Sequence, residues 1–409
     1  MEKYDIMLVG AGLYNAVLAN KFANHGFSVL IVEKRNEIGG NCHTYELNGI
    51  TVHKYGAHIF HTSNEEVWRF ATNFANFVPF QNSPIAMTKQ NDKYLYLNLP
   101  FNMNTYSRIW PGLSPEEITA KIDEEIEEAK ANSDPDTLSG CCMRMVGKTV
   151  FELLVKGYTE KQWNRSCDEL PANLIKRLPM RFTWDNNYFN DKYQGIPEEG
   201  YTKWIENMIF RDAPSRVHLM LNTDFVKNLQ GLLPLADHIF YSGRPDLLLG
   251  LNTLEFRGLD FTTNVYPVPD FQGTAVVNHT TLDVPYTRTI EHKHFQPWRD
   301  SDRYDIRNNT TVVTVETPVP CLKETDEPYY PINNPENDKV YRKYARWVEQ
   351  GENGAEKYRF GSKVHLCGRL GLYRYFDMDD CIESALKMAE TWIPKIQNGI
   401  LDDILNDKE

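Results

Sequence analysis

Apolar runs separated by glycine turns dominate the N-terminal part of the chain. The run at residues 4–9 predicts a buried parallel strand, and the Ala/Leu/Phe pattern after the next turn predicts a helix to about His25. Gly26 is expected to end that helix, and residues 28–33 form a second apolar run typical of a strand. This order predicts a βαβ unit.

The middle of the chain first follows a helical pattern. The segment Ser114 to Glu117 supplies an N-cap, a proline at the first helical position and a capping-box glutamate, so a helix is expected to about Asn132. Its outer face is strongly acidic, and further helical segments are expected between Thr137 and Lys156. This pattern predicts a helical block inserted into the nucleotide-binding unit.

Strand patterns dominate from about residue 216 to 320 and predict an antiparallel sheet. One predicted strand covers residues 288–294 and includes His292 and His294. A late strand and a final amphipathic helix from residue 377 to about 396 follow. The first and last segments are expected to meet in one domain.

Composition narrows the class of protein. The chain has 409 residues, which predicts two or three packed units, and a formal net charge of -12, which argues against nucleic acid as a partner. Its 7 cysteines are scattered without a CxxC pair, so reduced thiols are expected. The N-terminus has no signal-peptide pattern, and no apolar run reaches membrane-spanning length, so a cytoplasmic protein without membrane contact is expected.

A glycine turn, an acidic residue and a glycine pair together indicate a dinucleotide site. Gly10-Ala11-Gly12 lies between strand and helix, where glycines let the backbone approach a pyrophosphate at the helix N-terminus. Glu33 ends the second strand and is placed to bind a ribose hydroxyl, although Asn15 replaces the Gly or Ala of the third fingerprint position. Gly39-Gly40 adds a second point of close approach, which favours FAD over NAD.

His53, His58 and His61 follow in a segment expected to be extended. Their spacing is not that of a helical metal pair, and no cysteine or carboxylate completes a ligand set, so no metal site is predicted. One interpretation makes them partly buried structural histidines, which suits His53. The other places His58 and His61 near the flavin as hydrogen-bond donors or acceptors.

Separated stretches along nearly the whole chain resemble UDP-galactopyranose mutase of the bacterial type. They are Gly56-Ala-His-Ile-Phe-His61, Asn82-Ser-Pro84, Leu99-Pro-Phe-Asn-Met-Asn104, Gly157-Tyr-Thr-Glu-Lys-Gln-Trp163, Asp185-Asn-Asn-Tyr-Phe189, Gln194-Gly-Ile-Pro197, Gly200-Tyr-Thr202, Val284-Pro-Tyr-Thr-Arg288, Glu291-His-Lys-His-Phe295, Asp326-Glu-Pro-Tyr-Tyr-Pro331, Gly368-Arg-Leu370 and Tyr373-Arg-Tyr-Phe-Asp377. Their order along the chain makes a chance match implausible.

The resemblance implies an α/β fold with a Rossmann-like FAD-binding domain, an inserted helical bundle and a twisted antiparallel β-sheet. The implied boundaries are 1–78, 201–250 and 335–409 for the FAD domain, 105–180 for the helical domain with its mobile loop, and 79–104, 181–200 and 251–334 for the sheet domain.

The resemblance also implies an isomerase that interconverts UDP-galactopyranose and UDP-galactofuranose for cell-surface polysaccharide biosynthesis. In this family the FAD must be reduced, by NAD(P)H or a chemical reductant, and the reaction has no net redox change. The flavin N5 attacks the anomeric carbon, UDP leaves, and the sugar recloses as the other ring size through an N5-glycosyl adduct. A homodimer is the implied assembly.

Residues at the matching positions suit this chemistry, because guanidinium groups hold a departing diphosphate well. The implied catalytic residues are Arg177, Arg288, His61 and His58. The implied substrate residues are Tyr158 and Thr159 for uridine, Trp163 on the mobile loop, Tyr188, Tyr330 and Tyr375 for phosphate, Asn82 and Asn278 for the sugar, and Asp377. The implied cofactor residues are Gly10, Gly12, Leu13, Glu33, Lys34, Gly39, Gly40, Asn41, His58, Arg369 and Met378.

Some positions depart from the family pattern and leave the sugar open. They are Asn15, Ser242 to Asp246, Thr274, His279, Thr281, Cys367 and the extended hairpin tip Lys89 to Lys93. UDP-N-acetylgalactosamine or a deoxysugar nucleotide is therefore an alternative substrate. An amine-oxidase-like FAD oxidoreductase is a second alternative, and a non-catalytic nucleotide-sugar binder is disfavoured because the cofactor glycines are present.

Overall fold

A computed structural model of the chain describes residues 3–175, 180–296, 309–350, 360 and 363–399. The strands are β1 (Tyr4–Val9), β2 (Val29–Val32), β3 (Thr44–Leu47), β4 (Ile50–His53), β5 (Phe60–Thr62), β6 (Phe77–Pro79), β7 (Ile85–Gln90), β8 (Lys93–Asn98), β9 (Tyr193–Pro197), β10 (Val217–Met220), β11 (Ala236–Tyr241), β12 (Phe256–Tyr266), β13 (Val276–His279), β14 (Arg288–Glu291), β15 (Thr311–Cys321), β16 (Tyr330–Pro331) and β17 (Val364–Leu366). The helices are α1 (Leu13–Asn24), α2 (Glu65–Thr72), α3 (Met103–Ile109), α4 (Pro115–Asn132), α5 (Leu138–Val146), α6 (Lys148–Val150), α7 (Gly157–Trp163), α8 (Tyr201–Phe210), α9 (Leu229–Leu232), α10 (Pro245–Leu248), α11 (Pro335–Gln350), α12 (Gly368–Gly371) and α13 (Met378–Gln397).

A parallel sheet with the strand order β10-β2-β1-β11-β17 forms the nucleotide-binding layer. Alternate side chains of β1 enter different cores: Ile6 and Leu8 pack with α1, α8 and α13, whereas Met7 and Val9 pack on the face covered by α11. Helices on both faces explain why β1 and β2 are continuous apolar runs. The predicted βαβ unit is confirmed.

The second large sheet has the order β16-β12-β15-β14-β13-β7-β8 within the described residues. Its neighbouring strands are antiparallel except β13 and β7, which are parallel. The prediction of one antiparallel sheet from residue 216 onward was therefore wrong for β10 and β11, which join the parallel layer. The hairpin predicted at Lys89 to Lys93 is confirmed as the β7–β8 turn, in which Asn91 and Asp92 have positive φ.

The predicted strand at residues 288–294 is too long. β14 ends at Glu291, and His292–Phe295 form a 3₁₀ turn. Buried Glu291 causes the change, because its carboxylate accepts the Phe271 and Gln272 N–H groups at 2.9 and 2.8 Å. His294 then turns back towards the same carboxylate, with Nε2 3.4 Å from Glu291 Oε2.

The helical segments α3 to α7 pack on the β7–β8 hairpin through a shared apolar core. The predicted start of α4 is confirmed: Ser114 Oγ accepts the Glu117 N–H at 3.3 Å, and Glu117 Oε2 accepts the Ser114 N–H at 2.7 Å. A π-helical segment at Phe151–Lys156 leads into α7. None of the described helices has the length and apolar character needed to cross a membrane.

Two buried histidines between β11, β17 and α13 make stability depend on pH. His238 Nδ1 lies 3.3 Å from His365 Nε2, and Trp392 packs over His365 with ring centroids 3.8 Å apart. Burial lowers the pKa of His365 to about 3, and it also lowers the pKa of His238. A histidine with a depressed folded-state pKa stabilises the fold above its unfolded pKa, and this stabilisation is lost as the pH falls below about 6.5.

Replacement of His365 by glutamine should therefore flatten the acid side of the stability profile. Between pH 7 and pH 5 the wild-type chain should lose about 2 kcal/mol more unfolding free energy than the variant. Urea unfolding at the two pH values measures this difference. His25→Gln, at the exposed end of α1, is the control. Equal losses in His365→Gln and wild type would refute the burial argument.

Candidate active site

The glycine turn places two backbone segments in direct contact. Gly12 caps α1 without a side-chain acceptor and forms a parallel bridge with Gly39, whose N–H donates to Ala11 O at 2.8 Å. Gly40 has φ of 56°, and a Cβ there would lie 2.9 Å from the Gly12 Cα. Side chains are thereby excluded, and the N-terminus of α1 is open to an anion.

Glu33 links the end of β2 to this turn. Its side chain is buried, Oε2 accepts the Ala11 N–H at 2.7 Å, and Oε1 accepts the Arg35 N–H at 2.8 Å. Each carboxylate oxygen can accept further hydrogen bonds, as a ribose contact requires. Lys34 is turned outward to an ion pair with Glu327 at 2.7 Å. The Asn41 Oδ1 accepts Arg35 at 3.5 Å, and Leu13 is buried as the first residue of α1.

Three departures from the family pattern meet behind the turn. Asn15 is buried, and its Nδ2 donates to Val9 O and Gly10 O at 2.9 Å. Ser242 Oγ lies 3.4 Å from the same nitrogen, and Cys367 Sγ lies 3.4 Å from Asn15 Oδ1. Asn15 therefore hydrogen-bonds within the protein, with the end of β1, and the three residues form one packed cluster.

The departure at Ser242 to Asp246 also builds a buried ion pair. Arg244 donates from Nε and Nη2 to the Asp246 carboxylate at 3.1 and 2.7 Å, and both side chains are buried. Asp246 Oδ2 also accepts the Thr253 and Leu254 N–H groups. These hydrogen bonds hold the segment at Thr253 and Leu254, which follows α10, against Asp246.

A chain of hydrogen bonds connects three histidines beneath the predicted cofactor site. The backbone N–H of His58 donates to His53 Nδ1, and the backbone N–H of His53 donates to His292 Nδ1, both at 3.2 Å. His292 Nε2 lies 2.7 Å from Thr314 Oγ1. Burial lowers the pKa of His292 to about 3 and that of His53 well below its usual value, so both rings are neutral. The interpretation of His53 as a structural histidine is confirmed.

His58 is held as one neutral tautomer. Burial lowers the pKa of His58 to about 4, and the charges of Arg369 and Arg288 act in the same direction. Nδ1 lies 2.8 Å from Gly56 O, which only accepts, so Nδ1 carries the proton and Nε2 is an acceptor. His58 therefore has an unprotonated Nε2, and both arginines are close enough to influence its pKa.

His61 belongs to a separate pair on the three-stranded sheet of β5, β9 and β6. Its Nδ1 lies 2.8 Å from Asp191 Oδ2, and Ser63 Oγ donates to the other carboxylate oxygen at 2.8 Å. Its ring stacks on Phe189 with centroids 3.7 Å apart. These contacts fix the imidazole plane and make Asp191 a partner that sequence reasoning missed.

Arg288 is paired across the sheet with Glu316. Arg288 on β14 lies directly opposite Glu316 on β15, and its Nε and Nη2 reach Glu316 Oε1 at 2.9 and 2.8 Å. Burial alone lowers the pKa of Arg288, but the carboxylate raises it well above the usual value. Glu316 is fully buried, and within the described part of the chain its Oε2 has no hydrogen-bond partner.

Aromatic side chains surround a second cation, Arg369. Its guanidinium lies 5.0, 5.2 and 5.4 Å from the ring centroids of Tyr330, Tyr375 and Tyr329, and Tyr330 stacks on Tyr375 at 5.3 Å. Among the described residues, the buried Arg369 Nε has no hydrogen-bond partner. This unused donor belongs to a guanidinium that lies among three tyrosine rings.

The other predicted substrate residues, and the predicted cofactor residue Met378, come from several parts of the chain. Tyr158, on α7, interacts electrostatically with Arg288, Glu316, Tyr188 and Tyr375, and burial raises its pKa. Thr159 is buried, and Trp163 lies at the end of α7. The backbone carbonyl of Asn82 accepts the Tyr188 N–H at 2.8 Å, and Asn278 pairs with Arg288 across neighbouring strands. Asp377 and Met378 lie at the start of α13. Arg177 lies outside the described residues.

Comparisons with known proteins identify the family of this chain. The sequence profile described as UDP-galactopyranose mutase matches residues 153–375, and that of an NAD(P)-binding Rossmann-like domain matches residues 8–74. A probable UDP-galactopyranose mutase of Klebsiella pneumoniae is 36% identical over 403 residues, which cover 97% of each chain. The chain belongs to the UDP-galactopyranose mutase family.

Two further relatives bear on fold and substrate. A dTDP-fucopyranose mutase of Escherichia coli is 33% identical over 402 residues, covering 95% of this chain and 98% of that protein. A crystal structure of reduced UDP-galactopyranose mutase superposes with a TM-score of 0.65 at 12% identity, covering 96% of both chains. The family and the fold are those predicted, and UDP-galactopyranose mutases are isomerases, so this chain is an isomerase.

Membership of this family and the Rossmann-like domain imply a flavin cofactor, and the described residues fit one. The Gly12–Gly40 contact forms a cradle that any Cβ at residue 40 would fill, at the open N-terminus of α1. Buried Glu33 lies beside this cradle, where its carboxylate can accept a hydrogen bond from a ribose hydroxyl. The buried Nε of Arg369 has no hydrogen-bond partner among the described residues, so it can donate to a polar ring such as that of a flavin.

Sequence reasoning missed Glu316 and Lys161. Glu316 follows the strand pattern Thr-Val-Glu-Thr, which gives no local sign of burial, and only the pairing of β14 with β15 brings it to Arg288. Lys161 lies inside the matched segment 157–163, but a lysine on a short helix normally indicates a solvated face. Glu316 depends on the register between β14 and β15, and Lys161 on the packing of α7 against the β13–β14 loop.

Proposed function

We propose that this isomerase interconverts UDP-galactopyranose and UDP-galactofuranose with a bound FAD that must be reduced. The observation that carries the proposal is the cluster around Arg288 and Arg369, where two partly buried cations lie near neutral His58 and a group of tyrosines. A site with this charge suits a diphosphate beside a flavin better than an amine or another cationic substrate.

Each group in the pocket has a role suited to its chemistry. When bound, a reduced flavin would supply a nucleophilic nitrogen to the anomeric carbon. Arg288 would hold the departing diphosphate, and Glu316 would keep the guanidinium plane fixed between two strands. The Tyr330 and Tyr375 hydroxyl groups are candidate donors to phosphate, and His58 Nε2 is an acceptor for a sugar or flavin N–H or O–H group.

A cytoplasmic location is proposed from the sequence pattern, whereas cell-surface polysaccharide synthesis and a homodimer are proposed from the family resemblance. The same holds for reduction by NAD(P)H. These features add nothing to the chemistry of the site and can be tested separately.

Chromatography of nucleotide sugars tests the proposed reaction. Dithionite-reduced protein should convert UDP-galactofuranose into UDP-galactopyranose, and the air-oxidised protein should leave it unchanged. The oxidised sample is the matched control because it holds the same polypeptide and flavin. Absence of product with reduced, flavin-loaded protein would refute the proposed reaction.

A dTDP-deoxysugar is the second candidate substrate, favoured by the relative named dTDP-fucopyranose mutase at 33% identity. The same assay with dTDP-fucofuranose separates the two. We expect a kcat/KM for the UDP-sugar that is about 10-fold higher or more, the size of a discrimination built on a few pocket contacts. A higher value for the dTDP-sugar would replace UDP-galactose as the proposed substrate.

A further inference from the structure

Lys161 joins two parts of the chain that carry different predicted substrate residues. From α7, its Nζ donates to His279 O at 2.8 Å and to Tyr286 O at 2.7 Å. His279 ends β13, and Tyr286 lies two residues before Arg288 at the start of β14. One ammonium group therefore closes both ends of the β13–β14 loop onto α7.

Close packing at the start of α7 reinforces this joint. A Cβ on Gly157 would lie 2.2 Å from Thr280 O, so the helix backbone presses directly on the loop. Thr280 Oγ1 also donates to Leu153 O at 2.7 Å, in the π-helical segment that leads into α7. At residue 157 no side chain separates the helix from the loop. The hydrogen bond from Thr280 to Leu153 fixes the position of the loop along the helix.

The charge of Lys161 is directed at these carbonyl groups. Burial lowers the pKa of Lys161 to about 8, and Asp283 opposes this shift. His279 does not compete for the charge, because burial lowers its pKa to about 4 and its Nε2 lies 3.1 Å from Thr289 Oγ1. Hydrogen bonds from a charged donor in a partly desolvated site are stronger than neutral ones.

We propose that Lys161 is a positioning residue that fixes α7 against the β13–β14 loop and thereby sets the distance between Tyr158 and Arg288. The helix carries the residues expected to bind uridine, and the strands carry those expected to hold the diphosphate and the sugar. The part of this inference that concerns substrate affinity rests on the proposed function. The mechanical part, a joint between helix and loop, does not.

Three variants separate positioning from general stability. Lys161→Met keeps the length of the side chain but removes the ammonium group that makes both hydrogen bonds. Lys161→Arg keeps the charge and the N–H donors. Lys156→Met, at an exposed ion pair with Glu152 at the end of the π-helical segment, is the matched control. Hydrogen–deuterium exchange of the peptides covering residues 157–163 and 280–287 reports the joint directly.

Lys161→Met should speed exchange in both peptides about 10-fold or more and should raise KM for the nucleotide sugar about 10- to 100-fold. Its kcat should stay within about threefold, since the lost interaction acts on binding in ground and transition states alike. Lys161→Arg should restore KM to within about fivefold, and Lys156→Met should match wild type.

Unchanged exchange in Lys161→Met would overturn the joint, and unchanged KM with faster exchange would overturn its role in substrate positioning. If Lys161→Met does not fold, Lys161→Ala, which also removes every side-chain N–H donor, takes its place under the same criteria. Should wild-type protein fail to convert any nucleotide sugar, the proposed function falls while the exchange measurements still decide whether the joint exists.

Discussion

Arg288→Ala should lower kcat/KM for the nucleotide sugar about 1000-fold while the flavin stays bound. A guanidinium that faces a leaving diphosphate stabilises charge that develops in the transition state, and loss of one such donor typically costs about 100- to 1000-fold. The effect should be at the upper end, because the Arg288 side chain is only 22% exposed and interacts with Tyr158 and Tyr330, so water replaces it poorly. Steady-state assays on reduced protein measure kcat/KM, and flavin absorbance measures cofactor occupancy.

The alanine variant also leaves Glu316 as an uncompensated buried charge, which destabilises by about 3 kcal/mol or more. The double variant Arg288→Gln with Glu316→Gln removes this cost, because a neutral amide pair occupies the same cross-strand site. It should fold with a stability near that of wild type and still be inactive. Arg69→Ala, on the exposed side of α2, is the control for loss of one arginine. Turnover of the folded double variant within about 10-fold of wild type would remove Arg288 from the reaction.

Gly40→Val should yield folded protein that purifies almost free of flavin. The residue has φ of 56°, a region that β-branched side chains avoid, and its Cβ would meet the Gly12 Cα at 2.9 Å. Relief of that contact must move either the glycine turn or the start of α1, which together form the proposed cradle for the pyrophosphate. We expect flavin affinity to fall about 100-fold or more, as judged by the ratio of flavin to protein absorbance.

Gly231→Val is the matched control, because a Cβ at that exposed position in α9 meets nothing within 4 Å. It should bind flavin at the wild-type ratio. Circular dichroism of both variants should resemble that of wild type, since the core clusters around α1 do not include residue 40. Full flavin occupancy in Gly40→Val would show that the cofactor does not approach the backbone at this contact.

Local patterns were sufficient to predict the parts of the fold that form from neighbouring residues. The β1–α1–β2 unit and the capped start of α4 follow from periodicity, glycine positions and the Ser114–Glu117 capping box. The end of β14 does not, because it depends on Glu291 accepting N–H groups from Phe271 and Gln272, some 20 residues away. A strand pattern continues through that point, and only the tertiary contact ends the strand.

The candidate site shows the same division. Gly12 and Glu33 lie at the start of α1 and just after β2, as the βαβ pattern predicts, whereas Arg369 follows only from the family resemblance. Arg288 could be named, but its partner Glu316 depends on strand register, and the cluster of Asn15 with Cys367 joins residues 352 positions apart. Departures that looked independent in the sequence therefore proved to be neighbours that pack together.

The most direct test of the central claim is an anaerobic turnover experiment in which flavin absorbance and product are followed together. Dithionite-reduced protein, freed of excess reductant, is mixed with a large excess of UDP-galactofuranose. An isomerase that uses its flavin without net redox change should form about 100 or more equivalents of UDP-galactopyranose per flavin while the flavin stays reduced. Oxidation of one flavin for each product formed, or product only from oxidised protein, would contradict the account and identify an oxidoreductase.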